Sequence, residues 1–438
     1  MLSRRAFLGS ALLVAGCDPV SVLRRVVLAG GGSSFTIPAP PTALTTAGHA
    51  GWTQKPKARA LWYGDHSYLG YVASDGDIEV VVIPDSTGVG GTPIVLHSAL
   101  QVDTHAAPAL LVRSSDNKLL VVYCAHNGGT MYQRVSTTSL DTDPTLANGF
   151  AGEATAFSTT DMTYPMLFER TAEASSPIYC FYRSLASGTA TLAYKKSTDG
   201  GVTWDAQHNV YASSGKRTYW DIALAPDGQR FDFVVTDTVG ATDQLGDILH
   251  FYADDTGYHT SDGTLIDQGA DPLPFAPASL TLVYDETEAG KAWSHDLYVG
   301  AGGMPVFLFG IADGWSPAGG TDTEYRVASW DGAAWDISTI LASAGAGQFD
   351  PAYGCLDADD PTRAYVTRLI GGVWQVWRYT SADLATWDAG AAITNTADDN
   401  LYPVAVKDHP SAGLLVVWNN GEYVSATDYT QRLMGLRA

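Results

Sequence analysis

Two histidines, His105 in D-T-H-A-A-P and His126 in Y-C-A-H-N, stand 21 residues apart. That interval suits one hairpin, so the two imidazoles can meet at its open end. Further on, T-Y-P-M-L sets Tyr164 at the start of a strand-like run, and F-Y-R-S sets Arg183 at the close of the next. K-R-T-Y-W-D places Arg217 and Tyr219 in the matching position one unit later. Imidazoles and phenols exchange protons, and a guanidinium grips an anion through paired hydrogen bonds. Taken singly, each has an ordinary reading: a strand-end histidine bonded to backbone, a packed tyrosine, a snorkelling arginine. Taken together, they suit proton transfer beside a bound anion. The chain carries 25 Lys+Arg against 47 Asp+Glu, a net charge of −22, so a local set of cations is the exception.

The elements that must hold these residues are strands. Aromatic and aliphatic content is ample for a large core, which excludes disorder. The acidic balance and the lack of a basic stripe exclude a nucleic-acid partner. Glycine has no three-residue period and charged heptads are absent, so collagen-like and coiled-coil folds fail as well. Runs such as YLGYVAS, DIEVVVIP, KLLVVYCAH, RFDFVVTDTV and MPVFLFGIA recur between Asp-Gly, Gly-Gly, Asn-Gly and proline turns. No sustained helical period appears, so the fold class is all-β. STDGGVTW (197–204) fits the Asp-box S-x-D-x-G-x-x-W, with weaker echoes in SWDGAAW (329–335) and SADLATW (381–387). In such a box the Asp holds turn amides and the Trp staples adjacent strands. Self-similarity near this length signals propeller blades, and at about 55 residues each, residues 48–438 hold seven. The blades are expected near 55–98, 103–155, 160–211, 215–272, 279–341, 345–394 and 400–438. The ring closes by pairing N-terminal with C-terminal strands. Successive blades then present His, Tyr and Arg to one side of the channel.

Residues 3–8, S-R-R-A-F-L, form a twin-arginine pattern before a short apolar run ending L-V-A-G-C. The run is too brief to span a membrane and reads as a signal. Cys17 occupies the lipidation position, and cleavage near Ala29 with Cys17 discarded is the alternative. Either way, export from a bacterium is expected, with the membrane met only through a lipid anchor and otherwise a periplasmic or secreted protein. Residues 18–47, rich in Gly, Pro, Ser and Ala, read as a flexible linker. Cys124, Cys180 and Cys355 read as buried free thiols, with a Cys124–Cys180 bridge as the alternative. Cys124 and His126 lie close, but no spaced set of four ligands accompanies them, so no metal is assigned. A monomer is expected.

D-x-H-x-x-P-A-L-L, the strand ending A-H-N, T-Y-P, F-Y-R-S, the Asp-box and R-x-Y, in that order, resemble the BNR-repeat propeller family, which includes propeller-type ulvan lyases. E-Y-R-V-A-S-W-D-G (324–332) and G-E-Y-V-S-A-T-D-Y (421–429) extend the likeness over most of the chain. The resemblance implies an active site of His105, His126, Tyr164 and Arg183, acting on an acidic polysaccharide. Between Tyr164 and Arg183 lies an acidic, insertion-like segment, T-A-E-A-S-S (171–176). The implied reaction is β-elimination from a uronate. Arg183 clamps the carboxylate and stabilises the enolate, while Tyr164 takes the C5 proton and returns it to O4. The histidines bind the carboxylate or help ionise the tyrosine. Arg217, Tyr219 and Asn127 bind neighbouring sugars or sulfates, and no cofactor is required. Two other functions remain open. One is a sialidase-like hydrolase, drawing an arginine triad from Arg183, Arg217, Arg326 and Arg368. The other is a non-catalytic propeller binding glycans or proteins.

Overall fold

Leu119–Tyr123, Ile78–Pro84 and Pro305–Ala312 are apolar along nearly their whole length and buried almost throughout. Trp335–Leu341, by contrast, is largely exposed or half-buried. Inner strands are covered on both faces by neighbouring sheets and so need no alternation, whereas outer strands meet water. The computed structural model describes residues 41–53, 59–185, 189–213, 217–239, 244–267, 274–312, 322–345, 353–410 and 413–437. The signal, Cys17 and most of the tether lie outside the described residues. The described chain is an all-β propeller whose single α-helix spans four residues, Glu286–Ala289.

Seven antiparallel blades follow the chain. The first is Ala60–Tyr63, His66–Val72, Ile78–Pro84 and Ile94–His97. The second runs Ala109–Val112, Leu119–Tyr123 and Gly128–Val135, then takes the opening half of Ala154–Glu169. That long strand crosses into the third blade, where it pairs with Ile178–Ser184, followed by Thr191–Ser197 and His208–Ala212. Blade four is Thr218–Leu224, Phe231–Val239 and Gln244–Asp254, edged by Gly257–His259 and Thr281–Tyr284. Blade five spans Lys291–Val299 to Trp335–Leu341, and blade six Gly354–Leu356 to Ala391–Ala392. Blade seven is Asn400–Ala405, Leu414–Ser425 and Asp428–Arg437.

The fourth strand of blade seven is Thr42–Ala43, paired with Gly435 and Met434. This clasp joins the two ends of the chain and covers the last sheet edge. It also moves the start of the ring ahead of residue 48: Thr42 and Ala43, read above as linker, belong to the propeller. Backbone hydrogen bonds between residues 60–62 and Lys407 join blades one and seven at their inner strands.

All three Asp-boxes fall between the third and fourth strands of their blades. In the first, Asp199 Oδ1 accepts from the amides of Val202 and Thr203 (3.1 and 2.9 Å), and Gly201 has a φ of +91° that side-chain-bearing residues avoid. The tryptophans reach further than the adjacent strand. Trp204 donates to Gln133 Oε1 (3.3 Å), Trp335 to Ser261 Oγ (3.0 Å) and Trp387 to Ser338 Oγ (3.1 Å), each in the preceding blade. The boxes therefore rivet blade to blade. Between the sheets, fully buried Trp52, Trp220, Trp293 and Trp418 anchor the core. Each removes about 200 Å2 from water, a gain of roughly 5 kcal/mol before entropy is charged.

Candidate active site

The site forms where first strands begin. Asp103 is buried and caps a short 3-10 turn, Thr104–Ala106, by accepting from the His105 amide (2.9 Å). The same oxygen lies 2.5 Å from His105 Nδ1, and the other lies 2.8 Å from His126 Nδ1. Gln101 Oε1 accepts from the His126 amide (2.7 Å), fixing the end of the second strand. The two imidazoles stack, with centroids 4.3 Å apart and planes 15° from parallel. Their side chains stay 22% and 24% exposed, so solvent and solutes reach them. The 21-residue interval does close a hairpin on itself.

Tyr164 enters from the next blade. Its φ of +60° is left-handed, an uncommon state for an aromatic residue, and more so before a proline. Pairing shifts register between Phe181 and Arg183, so Tyr164 and Pro165 together oppose Tyr182 alone. This is a β-bulge, and it re-aims the Tyr164 ring. The backbone strain costs about 1–3 kcal/mol and is held by its surroundings. Asn127 donates from its amide to Thr163 Oγ1 (3.0 Å) and accepts back from that hydroxyl (3.2 Å), bracing the residue before Tyr164. Segment 171–176 turns the chain between the two strands at their far end, so it leaves the Thr163–Arg183 register intact.

Arg183, 4% exposed, joins the rings together. Its guanidinium carbon sits 4.8 Å from the Tyr164 centroid and 5.7 Å from that of Tyr219, and Nη2 lies 3.4 Å from His126 Nε2. The Tyr164 ring is 5.7 Å from His105 and 6.3 Å from Tyr219. His105, His126, Tyr164, Arg183 and Tyr219 thus form one cluster. Arg217 stands exposed just before the first strand of blade four, and Asn127 is engaged with Thr163.

Burial alone would raise the Asp103 carboxyl, but hydrogen bonds from both histidines outweigh it and hold the group well below the usual carboxylate range. For His105 burial dominates: it depresses the imidazole pKa, aided by the charges of His126 and Arg183 and opposed by Asp103. His105 is therefore neutral near pH 7. Asp103, His105 and His126 have the composition of a metal site. Both Nδ1 atoms, however, lie 2.5 and 2.8 Å from Asp103 oxygens and hydrogen-bond to them, closer than the roughly 3.4 Å that separates two donors each about 2.1 Å from one tetrahedral ion. Cys124, Cys180 and Cys355 are buried thiols outside any disulfide. The Cys124 thiol is pushed up to about 12 by burial and lies 3.6 Å from the Met162 carbonyl, unsuited to a thiolate ligand.

Sequence reasoning missed Asp103, although it opens the D-T-H motif; an acidic N-cap two residues before a histidine was the available signal. Arginines considered for a triad do not gather at the site: Arg326 is bound to Glu324 (2.8 Å), and Arg368 lies over Trp377 (4.8 Å). A second Asp–His chain, Asp232–His250–Ser261, is buried and ends on the Trp335 indole, where it braces two blades.

No curated protein matches the sequence. Among solved structures the chain is similar to a PL25 ulvan lyase at 15% identity and a TM-score of 0.70, over 91% of this chain and 96% of that one. It is also similar to a PL25 ulvan lyase bound to -[GlcA(1-4)Rha3S]-, at 15% identity and a TM-score of 0.69, over 91% and 94%. At that identity the likeness is one of fold. The profile described as BNR repeat-containing family member matches residues 66–342, more than half of the chain, and takes in the histidine hairpin, Tyr164, Arg183 and the first Asp-box. With its riveting Asp-boxes and this matched span, the chain belongs to the BNR repeat-containing family.

Proposed function

We propose that this protein is a polysaccharide lyase that cleaves a uronate-containing, sulfated, ulvan-like glycan by β-elimination. The observation that carries the reading is the convergence of two imidazoles, a phenol and a guanidinium from successive blades within ring-contact distance. The acidic fragment bound by a propeller of the same fold supports the substrate class.

The C5 proton of a uronate is weakly acidic while its carboxylate keeps full charge. Arg183 neutralises that charge by paired hydrogen bonds and stabilises the enolate that develops. Lying 4.8 Å from the Tyr164 ring, the same cation favours the phenolate. Tyr164 oxygen takes the C5 proton, the electron pair forms the C4=C5 double bond, and the C4–O4 bond breaks. In an O4-substituted glucuronate, H5 and O4 share one face, so the phenol returns its proton to the departing oxygen. No water is consumed. His105 and His126 help ionise the tyrosine, Tyr219 flanks the sugar, and Arg217 and Asn127 serve outer sugars or sulfates.

Incubation with a panel of uronic-acid polysaccharides should raise ultraviolet absorbance from the unsaturated uronate. Tyr164→Phe should lower that rate by about 10³-fold or more with unchanged circular dichroism. A fully active Phe variant removes Tyr164 from the mechanism. We further propose export, with anchoring through a lipid on Cys17 and a monomeric propeller outside the membrane. Cys17→Ser should abolish labelling by a fatty-acid probe.

A further inference from the structure

We infer that Asp103 is a positioning residue that fixes the tautomer of both histidines, so that two Nε2 atoms face the mouth as one unit. The inference rests on the lyase reading only for its effect on rate. Its geometry stands apart. A single buried carboxylate offers one oxygen to each Nδ1, at 2.5 and 2.8 Å, and the two rings are held in a stack.

The proton positions follow by elimination. Arginine has donors and no acceptor, so His126 Nε2, 3.4 Å from Arg183 Nη2, can only accept. The His126 proton therefore resides on Nδ1, where Asp103 receives it. Asp103 Oδ1 already accepts from the His105 amide, as an ionised carboxylate does, and His105 Nδ1 donates to the same oxygen. In their neutral forms both rings carry Nδ1–H toward Asp103 and a lone pair on Nε2. An unanchored imidazole prefers neither orientation nor tautomer so strictly, and a misassigned ring presents an N–H to the mouth where ionising Tyr164 needs an acceptor. Asp103 touches no substrate; it acts through the histidines.

Long-range proton–nitrogen correlation spectra of histidine-labelled protein read the tautomers directly. In the parent, both His105 and His126 should show the Nδ1–H pattern; an Nε2–H pattern on either ring overturns the inference, whether or not any variant folds. In Asp103→Asn the amide nitrogen is a donor, so at least one ring should switch to Nε2–H. Turnover should fall about 10²-fold, with a smaller change in KM. Asp103→Glu, which restores the carboxylate, should recover the Nδ1–H pattern and part of the rate. Unchanged tautomers in a folded Asp103→Asn protein would sink the proposal. Failure of the parent to release unsaturated product from any uronate glycan would instead sink the lyase reading, leaving the spectra to judge Asp103.

Discussion

At the mouth where first strands begin, one buried carboxylate, Asp103, faces two imidazoles; where they end, one imidazole, His409, faces two carboxylates. His409 Nε2 lies 3.2 Å from Asp357 Oδ1, and its Nδ1 lies 3.7 Å from Asp359 Oδ2. Burial tends to lower both His105 and His409. At His105 it wins, while at His409 the hydrogen bond and charge of Asp357, with Asp359, overcome it and raise the pKa. A cavity of about 530 Å3 opens at this second mouth, its charged lining mostly acidic: Glu169, Asp296, Asp357, Asp359 and Asp408, with Lys407. The first mouth keeps a permanent cation, Arg183, beside the depressed His105. The same two residue types thus shift His105 and His409 in opposite directions, and the ratio of partners is reversed between the two mouths. In a chain of −22, the mouth that holds a permanent cation beside a single carboxylate is the one suited to a polyanion.

The largest way to break this contrast, after loss of Tyr164, is to remove the cation. Arg183→Ala should cut kcat/KM by about 10²–10³-fold in the ultraviolet assay, and a change of less than threefold would show that Arg183 does not bind the charge. A smaller effect tests the opposed histidines through stability. An unfolded histidine titrates near pH 6.5. The raised His409 contributes stability that is full below about that pH and is lost as pH rises through its higher folded value. The gap in urea midpoint between parent and His409→Gln should therefore narrow from about pH 6 to about pH 8. The depressed His105 works the other way, costing stability as pH falls through about 6.5, so His105→Gln should flatten the loss between about pH 7 and pH 5. Parallel pH slopes for the two variants would erase the distinction. The smallest expected effect is at the acidic mouth: Asp408→Asn, on an exposed side chain, should change kcat/KM by less than about twofold, because a Debye length near 8 Å screens it from the other end.

Much of this was legible beforehand, for reasons that stay within a few residues. Strand runs, turn dipeptides and the Asp-box are local, and their spacing located seven blades whose strands fall close to the expected bounds. The histidine pair was readable because both members belong to one hairpin. Asp103 as their common anchor was not, since its role depends on a side chain 23 residues away arriving at hydrogen-bond distance. Nor was the use of Asn127 to brace Thr163, the reach of each box tryptophan into the preceding blade, or the recruitment of Thr42 and Ala43 as a closing strand.

By itself, then, the amino-acid order determined an all-β ring with His105, His126, Tyr164 and Arg183 near strand ends, because period-two patterning and turn chemistry act over short stretches of chain. Only the tertiary structure decided that the Tyr164 bulge turns its ring toward Arg183, that both imidazoles meet one carboxylate, and which mouth is acidic. Those properties arise from burial and from charges brought together out of different blades, and neither is written in any one segment.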